Sequence, residues 1–162
     1  MDLTRVHLFI THLPVFGLFL GFMAVLYGIV VNSRQVKIVS LMIIITATVG
    51  AIIAFQTGEA AEETAEHLAG VLEDSIHEHE ESAELAIGFF YGLGVISIIA
   101  FYLQVREVKF ARELLFLVFA FSVVTFGLVV RTASLGGQIR HTEITGDKNL
   151  PATESPQADD SD

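Results

Sequence analysis

Four stretches of almost unbroken apolar residues divide the chain: about His7 to Val31, Val39 to Phe55, Leu85 to Val105 and Leu114 to Val130. Crossing a ~30 Å hydrocarbon core takes about 20 residues of helix, and in lipid the backbone must satisfy its own hydrogen bonds. Each run therefore reads as a transmembrane helix; the second and fourth, slightly short, continue into uncharged polar residues. The first run is too long for a signal-peptide core, follows Asp2 and has no small-residue cleavage site after it, so it is expected to be retained. Between the second and third runs, "GEAAEETAEHLAGVLEDS" places Ala61, Ala65, Leu68 and Leu72 near one helical stripe and Glu62, Glu63, Glu66 and Glu73 off it. This predicts an amphipathic helix against the bundle or the interface. Ser75 or Asp74 is a candidate cap for the next helix, with Glu78 as capping-box partner of Ser75, which starts that helix near Ile76. The expected fold is all-α: a four-helix transmembrane bundle over residues 1–145 with an extra amphipathic outer helix between the second and third spans. Residues 146–162, polar, acidic and punctuated by proline, read as a disordered tail.

Composition narrows the chemistry. Of 162 residues, 52% are hydrophobic; there are 19 Asp+Glu against 9 Lys+Arg, a formal net charge of −10, and no Cys. The missing cysteine excludes disulfides, thiolate metal sites, iron–sulfur ligation and covalent c-type haem. An acidic chain without a basic run is a poor nucleic-acid binder. Neither a nucleophile elbow nor an HExxH motif is present, so the reading leans to a non-catalytic protein over an enzyme.

The basic residues also orient the chain. Arg34 and Lys37 lie between the first two runs, and Arg106, Lys109 and Arg112 between the last two, whereas residues 58–84 hold ten acidic residues and no Lys or Arg. The positive-inside rule puts the two basic loops in the cytoplasm of a bacterial inner-membrane protein. The acidic segment and both termini then lie on the periplasmic side, with Arg5, Arg140 and Lys148 as scattered exceptions.

With that topology all six histidines, His7, His12, His67, His77, His79 and His141, fall at the outer face. His12 sits inside an apolar run two residues before Pro14, which leaves the Ile10 carbonyl without its helical donor, and an ionisable residue at membrane depth is a functional candidate. Residues five apart on a helix differ by ~140° and residues two apart by ~200°. His7 and His12 should therefore face different neighbours, and only one of His77 and His79 can face the bundle. His79 continues an apolar stripe through Ala83, Ala86 and Phe90; His77 continues a wet one through Glu81 and Glu84. His79 is the expected inward residue.

Bundles build cofactor sites from side chains on facing helices, and imidazole ligates haem iron, copper, zinc and non-haem iron. The ligand candidates are His12 and His79, then His7 and His141, then His67, with His77 last. One or two b-type haems would use these as bis-His pairs, and Arg131 and Arg140 are candidate partners for the propionates. Gly17, Gly21, Gly50, Gly88, Gly92, Gly127, Gly136 and Gly137 would give a macrocycle room, although "GLFLG" and "GFFYG" equally fit close helix packing.

The segment "VHLFITHLPVFG", with His7, His12 and Pro14, resembles the opening of a bacterial membrane family known as domain of unknown function 2231. His79, Glu80 and Glu81 resemble that family's His-Glu-Glu at a helix start, and Gly136–Gly137 its late Gly-Gly; the resemblance covers about the first 145 residues. It implies a four-helix membrane domain, and fusion of some relatives to Rieske domains implies redox work with a bound b-type haem. The chain departs from the pattern in carrying "GQIRH" at its exit and in its acidic segment with His67.

The leading expectation is thus a membrane b-type cytochrome exchanging electrons near the outer face with quinone, a periplasmic cytochrome or a Rieske protein, inside a larger respiratory or redox complex or a homo-oligomer. The acidic loop and tail would steer a basic carrier. A His/carboxylate site for Cu, Zn or Fe is one alternative, with Glu63–His67 and Asp74–His77 at helical spacing. The other is a cofactor-free accessory subunit whose Phe116, Phe119, Phe121 and Phe126 pack on partners or face lipid.

Overall fold

The structure, a computed structural model, describes residues 3–58 and 73–140. They form five helices: α1 (Leu3–Ile10), α2 (His12–Val30), α3 (Arg34–Gln56), α4 (Glu73–Val105) and α5 (Ala111–Arg140). Helices α1 and α2 make a single apolar span, interrupted at Thr11 where Pro14 withholds its donor. Thr11 keeps helical dihedrals and its N–H still reaches the His7 carbonyl at 3.1 Å, so the interruption is a notch and not a turn.

Four stretches are long and apolar enough to cross a membrane: Arg5–Val30, Arg34–Gln56, Ile76–Val105 and Ala111–Gln138. The expected all-α four-helix architecture is what the chain adopts. The amphipathic outer helix and the acidic tail lie outside the described residues. The cap expected at Ser75 or Asp74 is not the start of α4, because the chain is already helical at Glu73 and both residues fall within the first turn.

Each helix packs on the next and α5 closes the ring onto α2. The α2–α3 seam is antiparallel and built on small residues. A methyl added at Gly17, Gly21 or Gly28 would stand 3.0 Å from Ala47, 2.6 Å from Ile44 and 3.1 Å from Lys37, and one at Gly50 2.8 Å from Leu13. "GLFLG" is therefore a packing motif: without Cβ atoms the two backbones approach closely, which is how helices associate in lipid. The α2–α5 seam is aromatic, with the Phe22 ring 6.3 Å from Phe119 and 5.3 Å from Phe126, and Phe19 5.6 Å from Phe126. Phe121 stacks on Phe89 of α4, while Phe116 faces outward. Leu18, Val25, Leu41, Ile44, Leu93, Leu115 and Val118 fill the interior.

The two short loops share one end. Helix α2 ends in a Schellman-type turn in which Asn32 takes φ 51°, Ser33 N–H reaches Gly28 O and Asn32 N–H reaches Ile29 O. Helix α4 ends the same way, with Glu107 at φ 57°, Val108 N–H on Leu103 O and Glu107 N–H on Gln104 O. Arg34 joins the loops: its guanidinium donates to the carbonyls of Gln104 (3.1 Å) and Val105 (2.8 Å) and pairs with Glu107 at 3.2 Å. A cation there suits the negative end of the α4 dipole. Both basic loops thus occupy one end of the bundle, as the four-span topology requires.

Candidate functional site

The opposite end holds the four described histidines, His7, His12, His77 and His79. His7, on α1, leans against the last turn of α3, and its Nδ1 lies 2.8 Å from the Ala54 carbonyl oxygen and 3.4 Å from Thr57 Oγ1. His79, on α4, leans against α5, with Nδ1 3.0 Å from the Thr132 carbonyl oxygen. A carbonyl can only accept, so Nδ1 carries the proton in both rings. Nε2 is then the ring nitrogen that can serve as a ligand atom, the arrangement that a metal-binding histidine adopts when its other nitrogen is tied to a carbonyl.

The backbone makes room for the His79 ring: an added Cβ at Gly136 would stand 3.0 Å from His79 Cε1. Thr132 is engaged on both sides. Its hydroxyl donates to Leu128 O at 3.1 Å and so accepts from Ser82 Oγ at 2.7 Å, while its carbonyl takes the His79 proton. His79 and Ser82, one turn apart on α4, thereby grip the same residue of α5.

The remaining candidates divide. His77 is solvent-facing beside Glu80 (3.7 Å) and Glu81 (3.4 Å), as its wet stripe predicts. His79 faces inward on the stripe that buries Ala86 and Phe90. His12 is not turned into the bundle: its ring lies on the exposed face of α2, nearly parallel to Phe16 at 6.4 Å. His7 and His79 each turn onto the carbonyl of a neighbouring helix, whereas the ring of His12, a leading sequence candidate, lies on the exposed face of α2. Arg131 is exposed, one residue before Thr132, and Arg140 closes α5. His67 and His141 lie outside the described residues.

Of the candidate glycines, Gly17, Gly21, Gly50 and Gly92 pack against neighbouring side chains, while Gly88, Gly127 and Gly137 face open space. Among the described residues no three His, Asp or Glu side chains converge as a metal-ligand group, so a His/carboxylate centre has no preformed geometry there. The backbone carbonyls of Ala54 and Thr132 are the hydrogen-bond partners that residue-type reasoning misses, because a carbonyl leaves no mark in the sequence. No family model, no curated protein and no solved structure matches the chain.

Proposed function

We propose that this chain is an integral-membrane b-type haem protein that passes electrons near the outer face of a bacterial inner membrane, with His7 and His79 as the histidines that would hold the haem. The observation that supports it most is the shared chemistry of two rings on different helices: each Nδ1–H is spent on a backbone carbonyl, and each Nε2 is left free as a ligand atom. Two imidazoles on separate helices are the donor types that a bis-His haem would use, and the haem would supply the one-electron redox centre. The residues of the chain do the rest. The Ala54 and Thr132 carbonyls hold Nδ1 of the two rings, Gly136 gives His79 its space, and exposed Arg131 would be the partner for a propionate.

If two histidines of the chain hold the iron, the chemistry the haem would supply is electron transfer. No histidine lies in or beside either basic loop, so electrons would enter and leave at the opposite end, from a quinol or a periplasmic carrier, with the acidic segment attracting a basic partner. The test is the absorption spectrum of the purified full chain with a pyridine haemochrome assay. A reduced α-band of b-type at about one haem per chain supports the reading. Iron-free protein without a Soret band overturns it, and stoichiometric metal without porphyrin turns the same pair into a simple metal site.

A further inference from the structure

The basic end carries a feature that the histidine end does not use. Of its five basic residues, two are consumed by the fold: Arg34 by the α4 carbonyls and Glu107, and buried Lys37 by Asn32 Oδ1 at 2.8 Å. The other three, Arg106, Lys109 and Arg112, lie exposed on and beside the α4–α5 loop. Two are braced on aromatic posts. The Arg106 guanidinium stands 5.7 Å over the Tyr102 ring and that of Arg112 6.0 Å over Phe116, and both rings are at least half exposed on the outside of the bundle. Between them Phe110 is 74% exposed. Glu107 is held by Arg34, which leaves Glu113 as the acid nearest the trio in sequence.

We infer that the α4–α5 loop binds the headgroup phosphate of an anionic phospholipid from the leaflet at the basic end. Cations near a membrane surface attract anionic lipid. Here the aromatic posts fix two guanidiniums at the level where rings sit between acyl chains and headgroups. A free phosphate would be met by the same cations, but it would have no use for an outward Phe110 next to them. The exposed ring favours a ligand that arrives with hydrocarbon attached. This inference requires only that the helices span a membrane and is independent of the haem reading.

The experiment reconstitutes the full chain in nanodiscs of phosphatidylcholine with one-fifth phosphatidylglycerol and measures the lipid retained around the protein by native mass spectrometry. The wild type should retain phosphatidylglycerol above its bulk fraction, and the enrichment should fall as salt is raised. Removing the cations in R106Q/K109Q/R112Q should reduce it by about five-fold per charge, the effect expected of a basic residue at an anionic surface. Y102L/F116L, which keeps every charge, should lose part of it. Wild type without enrichment, enrichment indifferent to salt, or a folded triple variant that retains the lipid equally well would overturn the proposal. So would inorganic phosphate at equal concentration displacing the lipid completely. If the triple variant does not fold, the salt series and the Y102L/F116L pair still decide.

Discussion

Thr132 and His79 meet across the α4–α5 seam through a 3.0 Å bond from ring Nδ1 to backbone carbonyl, a contact no substitution of the Thr132 side chain removes directly. The ring therefore answers to the position of α5, and α5 is positioned there by the Ser82–Thr132 hydroxyl pair at 2.7 Å. Ser82→Ala leaves the Thr132 hydroxyl with its own donation to Leu128 intact. It should cost about 1 kcal/mol of stability, the size of an interhelical hydrogen bond in a membrane bundle, read as the denaturant midpoint in detergent. An unchanged midpoint would show that the latch contributes nothing.

The small residues of the α2–α3 seam give a sharper contrast. Gly21→Ala places a methyl 2.6 Å from Ile44, whereas Gly88→Ala and Gly127→Ala place theirs in open space. The first should lower stability by about 1–3 kcal/mol through overpacking, and the other two should stay within about 0.5 kcal/mol of wild type. Thermal unfolding followed by circular dichroism separates the cases; equal effects at the three positions would contradict the packing described.

Ser97 Oγ is buried in α4 with no hydrogen-bond partner, whereas Ser122 Oγ donates to Val118 O at 2.7 Å. Ser97→Ala removes an unsatisfied hydroxyl and should raise stability or leave it unchanged. Ser122→Ala removes a satisfied one and should lower it by up to about 1 kcal/mol. A loss at Ser97 larger than that at Ser122 would show that Ser97 has a partner after all.

Glu107 adopts a left-handed conformation, φ 57°, that costs a non-glycine residue about 1–2 kcal/mol. Its pair with Arg34 is more than half exposed on the Glu107 side, and such pairs contribute about 0–1 kcal/mol. Glu107→Gly should therefore raise the unfolding midpoint, since Arg34 keeps its bonds to Gln104 and Val105. A fall in midpoint would mean that the ion pair outweighs the backbone strain.

Much of this architecture is legible in the sequence, and the parts that are not have a common cause. Four spans follow from run length alone, and the shared end of the two basic loops follows from charge. The inward turn of His79 and the outward turn of His77 are legible because Glu81 and Glu84 mark the wet side. His12 offers no such mark. Lipid and bundle interior are equally apolar, so the residues around His12 look the same whichever way it points. Only tertiary packing shows that α2 buries Pro14, Leu18, Gly21 and Val25 and leaves His12 and Phe16 outside. His7 is obscured in the same way: its partners, the Ala54 carbonyl and Thr57, lie at the far end of α3, and nothing in the local sequence announces them.

The most direct test of the paired-imidazole account is haem titration of the purified apoprotein, comparing wild type with His7→Ala, His79→Ala and His12→Ala. The account predicts about one low-spin haem per wild-type chain, without carbon monoxide binding in the reduced state. Affinity should fall at least about ten-fold in the His7 and His79 variants, recover with added imidazole, and stay at the wild-type level in the His12 variant. Haem binding that survives loss of both His7 and His79, or that disappears with His12 alone, would contradict it.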